Sequence, residues 1–176
     1  MANRVPSWIR ESFESFALGP ITNDEMPGTW LSISTDTPGD HRLSADYGDP
    51  KPLPSYGDGT YVLVNGPGFV SFKLNKPVAS LYFGVWSLSG SEGSVHARYF
   101  GANGKTLAEI DHQVIQTGSY GYYRYSADVI AGVDISRNST SPDDVCIDNF
   151  ASFDENQLEK LKATTKTNLT IDDLSS

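Results

Sequence analysis

Residues 145–153 read Val-Cys-Ile-Asp-Asn-Phe-Ala-Ser-Phe, an apolar segment with one acidic and one amide residue at its centre. In a strand, alternate residues share a face, so Cys146, Asp148 and Phe150 are expected to point to the same side. The polar loop from Asn138 to Asp144 precedes this segment. The stretch from Asp143 to Phe153 is therefore predicted to contain the closing strand of a β domain.

Working outward from this segment, the chain shows further short alternating or apolar runs that are separated by turn residues. Asn103-Gly104 predicts a hairpin with a type I′ turn, because both central positions of that turn need a positive φ. The polar stretch from Thr35 to Gly59 is predicted to be a long loop. The predicted strands are Thr29–Ser34, Thr60–Asn65, Phe69–Leu74, Val78–Trp86, Val95–Tyr99, Lys105–Ile110, Val114–Thr117, Tyr120–Tyr125, Val129–Ile135 and Val145–Phe153.

About nine or ten short strands joined by turns predict an all-β fold, an antiparallel two-sheet sandwich of jelly-roll-like form. We expect residues 1–10 to be an N-terminal lead-in, residues 11–155 to be the sandwich domain and residues 156–176 to form a short C-terminal helix or flexible tail. The sequence Asp154-Glu155-Asn156-Gln157 predicts the cap of that helix.

Composition and charge exclude several classes of partner. The 176 residues carry 13 Lys and Arg against 22 Asp and Glu, a formal net charge of −9. Nucleic-acid affinity comes largely from Lys and Arg, so a nucleic-acid partner is not expected. No apolar run approaches the length of a membrane helix, so membrane insertion is not expected either. Residues Met1 to Arg4 are not followed by an apolar region, and no signal peptide is predicted.

Four motifs in order resemble bacterial exported or surface β-sandwich domains of the type associated with PEP-CTERM sorting tails. They are Phe13-Glu14-Ser15-Phe16, the strand Lys76–Phe83, the hairpin Tyr99–Gly104 and Ile147-Asp148-Asn149-Phe150. Such domains are similar to jelly-roll carbohydrate-binding modules, which often hold a structural calcium. The resemblance implies an extracellular or cell-surface location and a glycan or protein partner. No apolar sorting tail is present at Leu169 to Ser176.

Two kinds of site follow from the residues. Sugars stack on aromatic rings while polar side chains bind their hydroxyls, so we identify a set of candidate ligand-binding residues. They are Tyr47, Tyr82, Trp86, Tyr120, Tyr122, Tyr123 and Arg124. For the cofactor, calcium takes oxygen ligands, and an inward Asp148 would need a partner such as a cation shared with Glu14. The alternative is that Asn149 lies in a bulge and Asp148 is satisfied by hydrogen bonds or an ion pair.

The function that these features favour is a non-catalytic binding module, carbohydrate-binding-like or adhesin-like, with calcium as a candidate structural ion. A structural or assembly domain of an extracellular, phage or toxin particle is the main alternative. A small enzyme acting on polysaccharide is a weaker one, because no catalytic motif is present. The single cysteine, Cys146, lies in an apolar strand and is predicted to be a buried, unreactive thiol.

Overall fold

The computed structural model describes residues 8–11, 13, 15–45, 60–87, 92–114, 121–142 and 144–153. These residues form eleven strands and no helix. The strands are β1 (Trp8–Glu11), β2 (Gly19–Pro20), β3 (Met26–Pro27), β4 (Leu31–Thr35), β5 (His41–Ser44), β6 (Tyr61–Val64), β7 (Phe69–Ser87), β8 (Gly93–Phe100), β9 (Thr106–Val114), β10 (Gly121–Arg137) and β11 (Val145–Phe153). None of the described residues belongs to a helix long and apolar enough to cross a membrane.

All strand pairs are antiparallel, and they form two layers. One layer, here called the terminal sheet, has the order β2-β5-β6-β11-β7-β10, with β1 also paired to β11. The other, the hairpin sheet, has the order β3-β4-β7-β10-β8-β9. Strands β7 and β10 belong to both layers because each is long enough to pass from one to the other. The predicted antiparallel two-sheet sandwich is confirmed.

The core lies between the two layers and is rich in aromatic rings. Phe150 of the terminal sheet lies with its ring centroid 4.6 Å from that of Phe72 in the hairpin sheet, and 5.3 Å from that of Phe83. Phe13 packs on Phe150 at 5.8 Å and adopts a φ of 62°, an unusual value for a bulky residue. Its N–H donates to Glu11 Oε1 at 2.8 Å, which helps to hold this turn.

The long strand β7 corrects the prediction of two separate strands on either side of Pro77. Residues Val70 to Leu74 pair with β4 in the hairpin sheet, whereas residues Tyr82 to Ser87 pair with β11 in the terminal sheet. In β10, register shifts between Ser126 and Gly132 accompany the same change of layer. Bulges bend a strand, so one strand reads as two interrupted runs in sequence.

The hairpin at Asn103-Gly104 is present, but its turn type differs from the prediction. Gly104 N donates to Gly101 O at 2.9 Å, and only Gly104 has a positive φ, of 77°. This is a type I turn followed by a left-handed glycine, and the register shift after Tyr99 is the accompanying bulge. Asn103 itself needs no left-handed conformation; its Oδ1 accepts from Lys105 N at 3.0 Å.

The predicted loop from Thr35 to Gly59 is wrong for residues His41 to Ser44, which form β5. His41 and Leu43 are buried while Arg42 is exposed, an alternation too short to identify among polar neighbours. At the N-terminal end, β1 begins at Trp8, inside the predicted lead-in of residues 1–10. The predicted C-terminal helix or tail at residues 156–176 lies outside the described residues.

Candidate functional site

Several predicted site residues lie on the outward surface of the terminal sheet. Leu81, Phe83 and Val85 of β7 belong to the core, so the intervening Tyr82, Gly84 and Trp86 are on the opposite side. The register places Cys146 beside Trp86, Asp148 beside Gly84 and Arg124 beside Tyr82. We call this surface the aromatic face and define it by Tyr61, Tyr82, Trp86, Arg124, Cys146 and Asp148.

The position of Asp148 corrects the expectation that it shares a face with Phe150. Val145, Ile147 and Phe150 all belong to the core, and the pairing of β11 with β7 shifts between Asp148 and Ala151. This bulge inserts one residue into the alternation, so Cys146 and Asp148 point away from the core that Phe150 enters. The bulge was the alternative that the sequence left open. Cys146 is fully buried, as predicted, but outside the core between the sheets.

The aromatic face is almost entirely covered. Trp86 is 3% exposed, Tyr82 5% and Asp148 3%. Tyr61 of β6, which sequence reasoning did not select, packs edge-on against Trp86 with ring centroids 5.6 Å apart. Arg124 is the exposed member of the face. In this conformation a ligand on this surface would reach the Arg124 guanidinium first and the rings only after further exposure.

The predicted tyrosine cluster is divided between the two sides of β10. Tyr123 and Tyr125 face inward, whereas Arg124 faces outward. Tyr123 stacks on His112 of β9 with centroids 4.5 Å apart, and its hydroxyl donates to Gln113 O. Tyr125 stacks on Tyr99 of β8 at 4.3 Å. These four residues, Tyr99, His112, Tyr123 and Tyr125, join β10 in the terminal sheet to β8 and β9 in the hairpin sheet, and we call them the tyrosine clasp.

His112 is held neutral at the centre of this clasp. Its Nε2 is 2.7 Å from the Tyr99 hydroxyl, and the Phe83 ring meets it edge-on at 5.5 Å. Burial lowers the pKa of His112 to about 4, although the neighbouring Asp111 acts in the opposite direction. Burial also raises the pKa of Tyr99 above its usual value. The clasp is therefore an uncharged packing unit at neutral pH, and no sequence signal linked its residues.

A second buried histidine, His41, is also held neutral. Its Nδ1 accepts from Asn65 N at 3.3 Å, so the proton is on Nε2, which lies 3.1 Å from both Pro67 O and Thr37 Oγ1. Burial lowers the pKa of His41, and this outweighs the hydrogen bond to Pro67. The imidazole thus ties β5 to the turn before β7.

The remaining predicted site residues are only partly described. Tyr122 is the register partner of Gly84, and its side chain is not described. Tyr47, Tyr120 and Glu14 lie outside the described residues. Among the described residues, no three His, Cys, Asp or Glu side chains are grouped so that they could hold a metal ion. Asp148 is thus the one member of the predicted calcium pair whose position is described.

Neighbouring acidic and histidine residues of the described chain, which could in principle serve acid–base chemistry, are separated or already paired. Asp111 and His112 are adjacent in β9 but face opposite sides. His96 Nδ1 lies 2.8 Å from Asp111 Oδ1, whereas His112 bonds to Tyr99. Asp144 Oδ1 accepts from Ser87 Oγ at 2.8 Å. These contacts hold strands and loops together, and they form no arrangement of nucleophile, base and orienting group in the described part of the chain.

Comparison with known proteins gives a fold relationship. No protein-family model and no curated protein sequence matches the chain. The K2 cleaved adhesin domain of Lys-gingipain is similar in structure, with a TM-score of 0.50 and 11% sequence identity over 82% of this chain and 98% of that one. At this identity the similarity concerns the fold alone: the chain has the β-sandwich architecture of that adhesin domain.

Two further solved structures are similar at lower scores. The CBM22-1 xylan-binding domain of Paenibacillus barcinonensis Xyn10C has a TM-score of 0.43 and 16% identity over 81% of this chain and 90% of that one. The isomalto-dextranase of Arthrobacter globiformis T6 has a TM-score of 0.47 and 11% identity over 82% of this chain. The chain spans 23% of that enzyme's length.

Proposed function

We propose that this chain is a non-catalytic binding module for carbohydrate, and that the aromatic face is its binding surface. The observation that carries this proposal is the arrangement of Tyr82, Trp86 and Arg124 on one side of the terminal sheet. Aromatic rings offer apolar area to the faces of sugar rings, and a guanidinium donates to their hydroxyls. An adhesin-like role on a glycan-bearing surface would use the same contacts between sugars, aromatic rings and the guanidinium.

The variants that test this proposal are chosen according to whether the side chain is exposed or covered. Because Arg124 is exposed while Trp86 and Tyr82 are covered, Arg124→Ala is expected to weaken glycan binding without changing the fold. Trp86→Ala and Tyr122→Ala are expected to abolish binding, and Trp86→Ala also to lower stability. A glycan array followed by calorimetric titration of the best glycan measures this. Absence of binding across a broad array, with and without calcium, would overturn the proposal.

Calcium belongs to the proposal as a structural ion near Asp148. Asp148 is 3% exposed, and carboxylate oxygens are ligands that calcium prefers. Glu14 is the second ligand that we propose. A ligand that binds only the folded state stabilises it, so EDTA is expected to lower the melting temperature. Asp148→Asn should remove that sensitivity, and an EDTA-insensitive melt of the unaltered protein would remove calcium from the proposal.

A further inference from the structure

The outward surface of the hairpin sheet carries a row of polar side chains that the aromatic face lacks. Register partners on β4, β7, β10, β8 and β9 form this row, which consists of Ser34, Ser71, Asp134, Arg98 and Glu109. Neighbouring strands lie about 4.8 Å apart, so the row extends about 19 Å across the sheet. Ser136 lies beside it on β10, next to the half-buried Phe69. We call this surface the serine face.

The serine hydroxyls of this face make no hydrogen bond within the described part of the chain. Ser34, Ser71 and Ser136 are half-buried, and within the described chain none of them makes a side-chain hydrogen bond. Ser32, the neighbour of Ser34 on the same side of β4, is only 8% exposed, and its side chain likewise makes no hydrogen bond within the described residues. These hydroxyls keep contact with solvent, so each can exchange a water molecule for a hydroxyl of a ligand.

The carboxylate of Asp134, a residue that is largely buried, lies in the centre of the same row. Asp134 is 5% exposed, and its Oδ2 accepts from Arg98 Nε at 3.0 Å and from Arg98 Nη2. Its Oδ1 accepts no hydrogen bond from the described residues, and it keeps contact with solvent. Arg98 Nη1 also donates to Thr106 Oγ1 at 3.0 Å. This additional bond fixes the guanidinium, which in turn holds the Asp134 carboxylate and its Oδ1 in place. A carboxylate oxygen so placed is an acceptor for a hydroxyl donor.

The charges of the face indicate what kind of ligand it fits. Lys73 Nζ is 3.2 Å from Glu25 Oε1, Arg98 is paired with Asp134, and His96 lies between Asp111 and Glu109. Each of these three basic residues therefore has an acidic partner within the described part of the chain. The formal charge of −9 opposes anionic ligands further. The combination of paired charges, free hydroxyls and one acceptor oxygen is complementary to a neutral, hydroxyl-rich chain.

We infer that the serine face is a second binding surface, specific for a neutral oligosaccharide whose hydroxyl donates to Asp134 Oδ1 and whose neighbouring hydroxyls pair with Ser71 and Ser34. The ligand class rests on the proposed function, but the surface, its residues and its mode of recognition are different. Here the sugar is recognised through hydroxyl contacts on an open sheet, with Phe69 at the edge as the apolar contact.

The test uses the full chain and neutral hexasaccharides of glucose, xylose and mannose, with hexagalacturonate as the anionic comparison. Ser71→Leu and Ser34→Leu place a bulky side chain on the row and are expected to weaken binding of the neutral hexasaccharide at least tenfold. Ser15→Leu, at an exposed turn outside both faces, is the matched control and is expected to leave affinity unchanged. Asp134→Asn is expected to weaken binding similarly, with its melting temperature measured in parallel because Asp134 also pairs with Arg98.

The outcomes separate this inference from the proposed function. Loss of neutral-sugar binding in Ser71→Leu, with Ser15→Leu unchanged and hexagalacturonate not bound, supports the serine face. Binding that survives both serine variants but is lost in Arg124→Ala overturns the serine face and leaves the aromatic face standing. Binding of hexagalacturonate in preference to the neutral sugars overturns the inferred specificity. If none of these sugars is bound, the serine face is overturned, and the broad array decides the proposed function.

Discussion

The outward surfaces of the two sheets share strands β7 and β10 but have opposite characters. On the terminal sheet the outward residues Tyr82 and Trp86 are at most 5% exposed, whereas on the hairpin sheet Ser71 is half-buried and Lys73 is exposed. The same strand thus supplies apolar outward residues in one half and polar ones in the other. The outward side chains of a sandwich strand are therefore not always exposed to solvent. Whether those in each half of β7 are exposed depends on the residues that surround that half.

The largest effect is expected from truncating the covered aromatic face. Removal of a buried Trp side chain typically costs about 3–5 kcal/mol, so Trp86→Ala should destabilise the fold by that amount. Phe69→Ala on the serine face is the matched control and should cost clearly less, because Phe69 is only half-buried. Urea denaturation measures both. Equal losses would show that the two faces do not differ in burial as described.

Lowering the pH is also expected to reduce the stability of the fold strongly, because His112 of the tyrosine clasp is buried in its neutral form. The folded pKa of His112 is lowered to about 4 from 6.5, so the unfolded chain binds its proton first as the pH falls. Stability contributed by neutral His112 is present above pH 6.5 and decreases by roughly 3 kcal/mol towards pH 4. His41, whose folded pKa is also lowered, acts in the same direction.

His96 on the serine face should behave in the opposite way. Its bonds to Asp111 and Glu109 raise its pKa, so its contribution is complete below pH 6.5 and is lost as the pH rises through the folded value. An NMR titration of the three histidine ring protons measures all of them directly. A His112 resonance that titrates near pH 6.5 would contradict the neutral clasp, and the same titration point for His96 would contradict its pairing.

Within the hairpin sheet, Gly132 provides a sharper test of how the serine face is built. A Cβ at Gly132 would lie 2.3 Å from Phe72 O and 2.6 Å from Phe100 Cζ. The first neighbour is backbone and cannot move away cheaply, so Gly132→Ala should cost about 2–3 kcal/mol. At Gly101 the nearest atoms would be 3.6 Å away, and Gly101→Ala should be nearly neutral. Similar melting temperatures for the two variants would refute the close packing at Gly132.

The smallest effect is expected at the edge of the serine face. The ion pair of Lys73 with Glu25 joins side chains that are 59% and 58% exposed. Exposed pairs contribute little because water and salt screen them, so Lys73→Met should change the free energy of unfolding by less than about 1 kcal/mol. Chemical denaturation at low and high salt measures this. A larger, salt-sensitive loss would show that the rim of this face is structurally important.

Much of the strand content was predictable because alternation is a local property. The closing strand has the predicted bounds Val145–Phe153, and the strand at Tyr61–Val64 lies within its predicted range. The errors share a cause: long strands that bend look interrupted, and a four-residue strand such as His41–Ser44 offers too few residues for a pattern. The hairpin was found, but its turn type depends on a bulge that the Asn-Gly pair does not encode.

For the candidate site, the sequence selects residues by their chemistry but does not give their arrangement. Trp86, Tyr82 and Arg124 were selected for their chemistry, and they do share one face. Tyr123 was selected with them but faces inward, and Tyr61 was missed because its neighbour Trp86 is 25 positions away in the chain. The serine row could not be seen at all, since serines in different strands carry no signal until a register aligns them.

The sequence by itself determined the fold class, the hairpin at Asn103-Gly104, the closing strand and the acidic charge, because each depends on composition or on residues adjacent in the chain. Only the tertiary structure decided on which side Asp148 points, which outward face is covered, and which serines line up with Asp134. Those outcomes depend on one inserted residue in β11 and on the pairing of strands that are far apart in sequence. A shift of one residue, in the bulge or in the pairing register, would turn the core-facing side chains of a strand outward and the outward side chains inward.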